Sequence, residues 1–463
     1  MARYLESCLH RLIESLEQRW LFSQGAQVIW NVSFDDPGGA WSAYYNDITR
    51  NLQAAAREWG RLFDSNASIE IQVKFDPNVT RAGGGSATTV FLRNTNGLNI
   101  FEQGATNEIQ TGIDPNGGQP DIILWLQNSY LTDNLWFDPD PASRTAPIPP
   151  NRTDAVTVFM HELGHALAFN GWRDWTTGAL PGNYASTWDE RLYKGPAQYW
   201  FFGGANARAV YGSDPPLTYA NIHHFGNFSP GPGSDLEYQL MNGMVFHWQY
   251  RYDINNLEVA VLKDIGIRLE THPPAVSSKQ FIFNTAQRIQ IQFDESVRGS
   301  LSLSDFTLTR TGPGTPSTIP NSNLKLDYAR ATNTATISFL NMPKTGLPSG
   351  NYELVIHHSG ITDLAGNVMA ADDKLDFFTL IGDLNRDRAV SISDFITLAA
   401  NFNKTNATYS DGDLNYDGLV SISDFIDLSS NFNNTVPAPT TPQASLALAP
   451  AWQLDSIQST IQL

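Results

Sequence analysis

The sequence predicts a multidomain chain: an α+β domain, then an all-β sandwich, then a small α domain with two loops of a kind that binds metal ions. Three observations predict this order. Strand and helix patterns alternate through residues 26–270 and surround a helix with two histidines. Short alternating strands separated by Gly, Pro, Asn and Ser fill residues 271–380, which is typical of a sandwich. The segment 382–395 then recurs almost unchanged at 412–425.

The first domain, residues 26–270, begins with elements of both kinds. Apolar residues at steps of three to four between Ile48 and Phe63 predict an amphipathic helix. The alternation of Ile69 to Phe75 is typical of a half-buried strand. Further strands are predicted at 28–34, 88–92 and 121–126. A proline-rich loop then leads into the helix with the two histidines, so this domain is predicted to be α+β.

Both ends of the chain are predicted to lie outside the folded domains. Residues 1–25 are predicted to be an N-terminal export or leader segment, because Glu14 to Ser23 resembles the LEPR-type motif of some large exported bacterial proteins, with Gln18 where that motif has Pro. The alternative is an ordinary amphipathic helix. Residues 435–463 are rich in Pro, Ala, Thr and Gln, which predicts a disordered tail.

Charge and cysteine content limit the partners and the means of stabilisation. A net charge of −18 argues against nucleic acid or an anionic membrane surface as a partner, because both would repel the chain. No apolar run is long enough for a membrane span. Cys8 is the single cysteine, so core packing and metals have to stabilise the folded part.

The central motif is His161-Glu162-Leu163-Gly164-His165, on a helix predicted over 153–170. The helix is expected to begin at a cap formed by Thr153 or Asp154 and to end at Asn170-Gly171. His161 and His165 are one turn apart, so both imidazoles can reach one ion, and nitrogen ligands suit zinc. Glu162 is then beside the ion, where it can act as a base.

The sequence around this motif resembles the metzincin zinc metalloproteases, and specifically the leishmanolysin-like group. The helix segment His161 to Phe169 matches that group except at Ala168, where the group has Gly. His224-Phe225 resembles its third-ligand pair, and Gln239 to Gly243 resembles its methionine turn. The resemblance covers roughly residues 155–267. It implies that His224 is the third zinc ligand and that Met241 is the structural methionine of the turn.

Several residues compete for these two roles. His223, Glu190, Glu237 and His247 are alternatives for the third ligand, and a carboxylate would make the site resemble a thermolysin-type protease. Met244 is the alternative to Met241.

The resemblance implies a zinc metalloendopeptidase that acts on a protein or peptide. Zinc would lower the pKa of its water towards about 7 and polarise the scissile carbonyl, with Glu162 as the general base. The predicted strand 121–126 is expected to be the sheet edge that aligns the substrate by main-chain pairing.

Two further resemblances concern the remaining domains. Phe293 to Val297 and Thr362 to Asn367 resemble bacterial Ig-like domains, so residues 271–380 are expected to form an Ig-like sandwich. Residues 381–434, which contain the repeat, resemble a type I dockerin: two EF-hand-type loops, each followed by a short helix. This resemblance implies a cohesin-like docking partner.

Each repeat offers oxygen ligands at the positions that EF-hand geometry uses, so two Ca²⁺ sites are predicted. The predicted ligands of the first loop are Asp383, Asn385, Asp387, the Ala389 carbonyl, Ser391 and Asp394. Those of the second loop are Asp413, Asn415, Asp417, the Leu419 carbonyl, Ser421 and Asp424. Arg388 replaces the usual sixth-position Gly in the first loop, which is expected to strain that turn and weaken its calcium.

Two functions remain open. The first is a secreted or cell-surface bacterial endopeptidase, attached through the dockerin-like module. The second is a catalytically inactive protease-fold protein that acts in binding or adhesion through its Ig-like and dockerin-like modules. Glu162 favours the enzyme, because a non-ligand glutamate at this position signals chemistry.

Overall fold

The computed structural model describes residues 27–438, which contain three separate hydrophobic cores. The first core is built from residues between Val28 and Ile267 with Ala365, the second from residues between Ile289 and Met369, and the third from residues between Leu380 and Val436. The chain is therefore multidomain, with mixed sheets and several helices. The predicted leader at 1–25, with Cys8, and the predicted tail from residue 439 onward lie outside the described residues.

The first region is organised around a four-stranded sheet. Its order is Ile29–Asp35, Ser68–Phe75, Ile122–Leu126 and Ala82–Ser86. The first three strands are parallel and the last is antiparallel. The prediction that 121–126 is the sheet edge is therefore wrong: this strand is interior, paired on both sides. Its alternate residues Ile122, Leu124 and Leu126 are fully buried, as expected of a central strand.

The true edge next to the histidine helix is the strand Ala82–Ser86, which we call the edge strand. Its residues, Ala-Gly-Gly-Gly-Ser, have low strand propensity, so no strand was predicted here. Glycine is needed because the helix backbone passes very close: a Cβ added at Gly84 would lie 2.3 Å from the Glu162 carbonyl oxygen. Because these glycines have no side chains, the edge strand can pack directly against the helix that carries the two histidines.

Helices cover the sheet and bury its apolar face. The predicted amphipathic helix is Tyr45–Gly60, and its Trp59 donates a hydrogen bond to the Met160 carbonyl, 2.8 Å away. The other helices of this region are Gly104–Thr111, Asn128–Asp133, Ala155–Leu167, Ala205–Tyr211 and Asn256–Asp264. Smaller sheets comprise Thr89–Thr95, Leu98–Gln103 and Tyr184–Ser186; Leu135–Trp136 and Thr153–Asp154; Leu192–Lys194 and Trp200–Phe202; Leu217–Thr218 and Asn221–Phe225.

The second region is a sandwich of two antiparallel sheets. One has the order Val276–Ile282, Arg288–Phe293, Thr334–Phe339 and Leu324–Ala329. The other has the order Ser317–Thr318, Phe306–Gly312, Gly350–Ile356 and Asp373–Thr379. The alternating strands predicted from the sequence supply the core: Ile289, Ile291, Ala335, Ile337 and Leu354 are fully buried.

An ion-pair cluster joins the first two regions. The Asp253 carboxylate lies 2.6 Å from Arg144 Nη1, 2.7 Å from Arg298 Nη2 and 2.6 Å from Arg330 Nη2, and the last two come from the sandwich. Burial alone would raise the pKa of Asp253, but the three guanidinium groups outweigh it and lower the pKa to about 2.

The third region consists of two loops and the helices Ile392–Ala400 and Ile422–Ser430. It rests against the sandwich: Tyr416 Oη donates to the Phe283 carbonyl, 3.0 Å away. Across residues 27–438, none of the helices combines the length and apolarity that crossing a bilayer would take.

Candidate metal centre and calcium-type loops

The motif helix, Ala155–Leu167, lies in the interior, and all of its residues are buried. Asp154 caps it by accepting hydrogen bonds from the Thr157 amide at 3.1 Å and the Thr157 hydroxyl at 2.8 Å. The same carboxylate lies 2.7 Å from Arg144. The helix ends at Leu167, earlier than the predicted Asn170-Gly171, and Gly171 serves another purpose. A Cβ there would lie 2.4 Å from Asp189 Oδ1, so this glycine permits close packing.

The structure brings His161, His165 and His224 together. The Nε2 atoms of His161 and His165 are 3.1 Å apart, and each lies 3.0 Å from Nε2 of His224. His224 comes from the strand Asn221–Phe225, on the far side of a long insertion. These three imidazoles are the trio that the resemblance implied.

The hydrogen bonds that the three imidazoles make to the surrounding protein fit a bound metal ion better than imidazoles that are hydrogen-bonded to one another. His161 Nδ1 lies 2.8 Å from the Leu240 carbonyl and His165 Nδ1 lies 2.8 Å from the Phe169 carbonyl. Because a carbonyl only accepts, both Nδ1 atoms carry the hydrogen when the rings are neutral, so both Nε2 atoms keep a lone pair. Two lone pairs 3.1 Å apart repel unless a cation lies between them. Tetrahedral Zn–N bonds would place such nitrogens about 3.3 Å apart.

Burial keeps the imidazoles neutral. It lowers the pKa of His161 to about 4, an effect that the Leu240 hydrogen bond opposes. Burial, followed by the neighbouring histidines, also lowers the pKa values of His165 and His224. Neutral imidazole is the form that binds a metal.

Glu162 lies in the same cleft but is not one of the trio. Its side chain is buried, and burial raises the pKa of its carboxyl group to about 8, although a hydrogen bond from the Gly84 amide opposes that rise. A carboxyl group whose pKa lies near neutrality can both accept and release a proton. The edge strand therefore touches the one acidic side chain of the motif.

The methionine turn packs beneath the motif helix. Met241 is fully buried, and a Cβ added at Gly164 would lie 2.5 Å from its Sδ. The Met241 amide donates a hydrogen bond to the Glu258 carboxylate, 3.1 Å away, on the helix Asn256–Asp264. The preceding residue, Leu240, supplies the carbonyl that orients His161. Met241 thus lies at the position expected of a hydrophobic floor, whereas Met244 lines the open cleft.

The turn also fixes His224. The Phe225 amide donates to the Met241 carbonyl at 2.8 Å, and the Gly243 amide donates to the Phe225 carbonyl at 3.1 Å. A Cβ at Gly243 would lie 2.8 Å from His224 Cβ. A side chain at this position would therefore collide with His224, which explains the glycine.

The alternative third ligands lie elsewhere. Glu190 forms a short ion pair with Arg93, and Glu237 lies 3.6 Å from His247, outside the trio. His223 lines the same cleft, but its Nε2 has no hydrogen-bond partner among the described residues, and it is not one of the three imidazoles whose ligand atoms lie within 4.8 Å of one another.

A cavity of about 530 Å³ opens onto the trio. The edge strand forms one wall and residues 242–246 form another. Sequence patterns gave no indication of three polar residues that line it: Thr80, Arg81 and Tyr130. No motif marks them, because the loop before the edge strand and the helix Asn128–Asp133 are brought together only by the fold.

The two calcium-type loops have nearly the same geometry. Asp383 accepts the amides of Asp387 at 3.1 Å and Arg388 at 2.9 Å, and Asp413 accepts those of Asp417 at 3.1 Å and Gly418 at 2.9 Å. The final aspartates, Asp394 and Asp424, each accept amides from the start and the end of their own loop. All four of these first- and last-position aspartates are buried: Asp383, Asp394, Asp413 and Asp424.

The sixth position differs between the loops. Arg388 has φ +74° and Gly418 has φ +85°, so both are left-handed, a conformation that costs arginine energy but not glycine. Arg388 gains contacts in return: Nη1 lies 2.8 Å from Asn351 Oδ1, and its guanidinium stacks over Phe378 at 4.0 Å. These contacts with the sandwich oppose the strain expected at this position.

Three groups of potential metal ligands have atoms within 4.8 Å of one another in the described part of the chain. They are His161/His165/His224, Glu108/Asp114/Asp121 and Glu270/Glu295/Asp363. Within residues 27–438 the aspartates of the two loops do not form so tight a group.

Comparison with known families bears on the sandwich. A family model described as a bacterial Ig-like domain matches residues 264–379. The chain therefore contains a bacterial Ig-like domain, as the sequence predicted. No curated protein matches the chain significantly.

Proposed function

We propose that the chain is a zinc-dependent endopeptidase, exported to the bacterial surface or medium. The observation that carries this proposal is the convergence of three neutral imidazoles, with Nε2 atoms 3.0–3.1 Å apart, in a cleft that also contains Glu162. The zinc ligands would be His161, His165 and His224. The bacterial Ig-like domain, of a kind usually found outside the cell, is consistent with export.

The residues of the chain divide the chemistry between them. A zinc ion held by the trio would act as a Lewis acid and supply a nucleophilic water at neutral pH. Glu162 would act as the general base towards that water and as the general acid towards the departing amine. The Leu240 and Phe169 carbonyls keep His161 and His165 in the tautomer that binds metal. The burial of Met241 holds the floor of the site in place.

The edge strand provides a way to align a peptide. Ala82–Ser86 pairs on one side with Ile122–Leu126, and residues 82–84 line the cleft. An extended substrate could add to the other side of this strand by main-chain hydrogen bonds. The sequence pattern had indicated residues 121–126 for this role, which we now assign to the edge strand.

The direct test is Glu162→Gln, which removes the base without removing a zinc ligand. We expect zinc content to stay at wild-type level and kcat on casein to fall by about 10²–10⁴-fold. Glu237→Gln is the matched control, because Glu237 lies outside the trio and is not a lining residue of the cleft; its kcat should be unchanged. Near wild-type cleavage by Glu162→Gln would contradict the mechanism. Zinc binding without any cleavage by the wild type would favour the inactive binding protein.

We further propose that residues 381–434 form a calcium-dependent docking module. Equivalent isoleucines of the two repeats are exposed on the helices: Ile392 by 61% and Ile422 by 62%, Ile396 by 60% and Ile426 by 56%. An apolar surface repeated on two helices is unusual for a part of the chain without a partner. The dockerin resemblance makes a cohesin-like domain the expected partner.

Binding of a type I cohesin domain, measured by surface plasmon resonance, tests this module. We expect binding in millimolar calcium and its loss without calcium. The double variant Ile396→Asp Ile426→Asp should lose binding, whereas Glu162→Gln should retain it. Binding that is insensitive to both calcium and the double variant would contradict the proposal.

A further inference from the structure

Beside the start of the strand Ile122–Leu126, three carboxylates converge; we call them the Glu108 cluster. Glu108 lies on the helix Gly104–Thr111, Asp121 directly precedes the strand Ile122–Leu126, and Asp114 lies in the loop between them. One oxygen of each lies within 4.8 Å of the others.

The two buried members of the cluster have unsatisfied oxygens. Glu108 is 4% exposed and Asp121 is 1% exposed. Glu108 Oε2 and Asp121 Oδ1 are buried, and apart from a proton that the two carboxyl groups would share they have no hydrogen-bond donor among the described residues. Only the other oxygen of Asp121 has a donor, the Glu70 amide at 2.9 Å. A buried carboxylate oxygen without a donor is costly, so it calls for a ligand.

The surrounding charges increase this cost. Burial, and then the negative charges of Asp121, Asp114 and Glu70, raise the pKa of Glu108 to about 8. Burial and Glu70 also raise the pKa of Asp121 to about 6. No cation is among the largest influences on the pKa values of these two carboxyl groups.

The third cluster, Glu270/Glu295/Asp363, provides a contrast. Asp363 accepts the amides of Gly366 at 2.6 Å and Asn367 at 2.8 Å. The Asn367 side chain also donates to Glu270 and Asp363 at 2.7 and 2.8 Å. Backbone and amide donors therefore satisfy Glu270 and Asp363, and none of the three carboxylates has a buried oxygen without a partner, unlike the Glu108 cluster.

We propose that Glu108, Asp121 and Asp114 bind a divalent cation of the calcium class. The ligands are all carboxylate oxygens, which calcium prefers over zinc or copper. Calcium takes six to eight oxygens, and a cavity of about 650 Å³ next to Glu108 and Asp114 gives water access to complete the shell. The ion would tie the loop 112–121 to the strand Ile122–Leu126, which in turn pairs with the edge strand.

Tryptophan fluorescence of the full chain isolates this effect from the loops at 381–434. Of the 12 tryptophans, all but Trp20 and Trp452 lie between residues 30 and 248, so the signal follows the first domain. Protein freed of calcium and kept in micromolar zinc is heated with and without millimolar calcium. At about 100 times Kd, calcium should raise the wild-type midpoint by about 5–10 °C. This rise should disappear in Glu108→Gln.

A second measurement counts bound calcium by equilibrium dialysis. Glu108→Gln and Asp121→Asn should each bind one calcium fewer than wild type, whether or not the later loops bind. Glu295→Gln is the matched control from the third cluster, which has no buried carboxylate oxygen without a partner, and it should keep both the count and the rise in midpoint. Equal calcium counts in wild type and Glu108→Gln would overturn the site. So would a Glu108→Gln midpoint raised equally with and without calcium, which would mean that the carboxyl groups share a proton. Neither readout depends on peptidase activity.

Discussion

The histidine trio and the calcium-type loops differ in how far apart in sequence their members lie. Every predicted ligand of a loop falls within the span 383–394 or 413–424, so local backbone geometry alone arranges them. In the trio, His224 is 59 residues from His165, and its position depends on the methionine turn. A local site can be predicted from spacing, whereas a dispersed site depends on the whole domain.

The largest effect should come from the dispersed member of the trio. His224→Ala removes one of three imidazoles and should lose zinc on dialysis, whereas the adjacent His223→Ala should retain most of it. Zinc content after dialysis, measured by atomic absorption, checks both variants. Loss in His223→Ala with retention in His224→Ala would transfer the role to His223. Retention in both would mean that a carboxylate such as Glu190 or Glu237 completes the site.

A smaller effect is expected on the calcium affinities of the two loops, which should differ from each other. Arg388 has to hold a left-handed backbone where Gly418 does so without strain, a cost of about 1 kcal/mol or about five-fold in affinity. We therefore expect Asp417→Ala to remove the tighter calcium and Asp387→Ala the weaker one. Calorimetric titration of the full-length variants resolves the two. Equal affinities would mean that the contacts of Arg388 with Asn351 and Phe378 fully compensate for the strain.

The same distinction explains how much could be predicted from the sequence. Periodicity located the strand Ser68–Phe75 to within one residue and the helix Tyr45–Gly60 to within three, because each pattern is set by the residues of that element. The short helices after the two loops also lie where the repeat placed them. These elements need no information from elsewhere in the chain.

The failures are contacts between distant segments. The edge strand Ala82–Ser86 is defined by its pairing with Ile122–Leu126 and by its approach to Glu162, and its glycines resemble a loop when taken alone. For the same reason, the prediction that residues 121–126 form the sheet edge was wrong. Spacing could not choose between His223 and His224, since neighbouring strand residues are both available until the fold orients them. Only the resemblance favoured His224.

The central claim is that the dispersed trio forms one zinc site. Zinc K-edge X-ray absorption on the full chain, loaded with one equivalent of zinc, tests it most directly. We expect three imidazole nitrogens and one oxygen at about 2.0–2.1 Å, with the imidazole signal reduced in His224→Ala. A coordination shell made only of oxygen, or one unchanged in His224→Ala, would contradict the account.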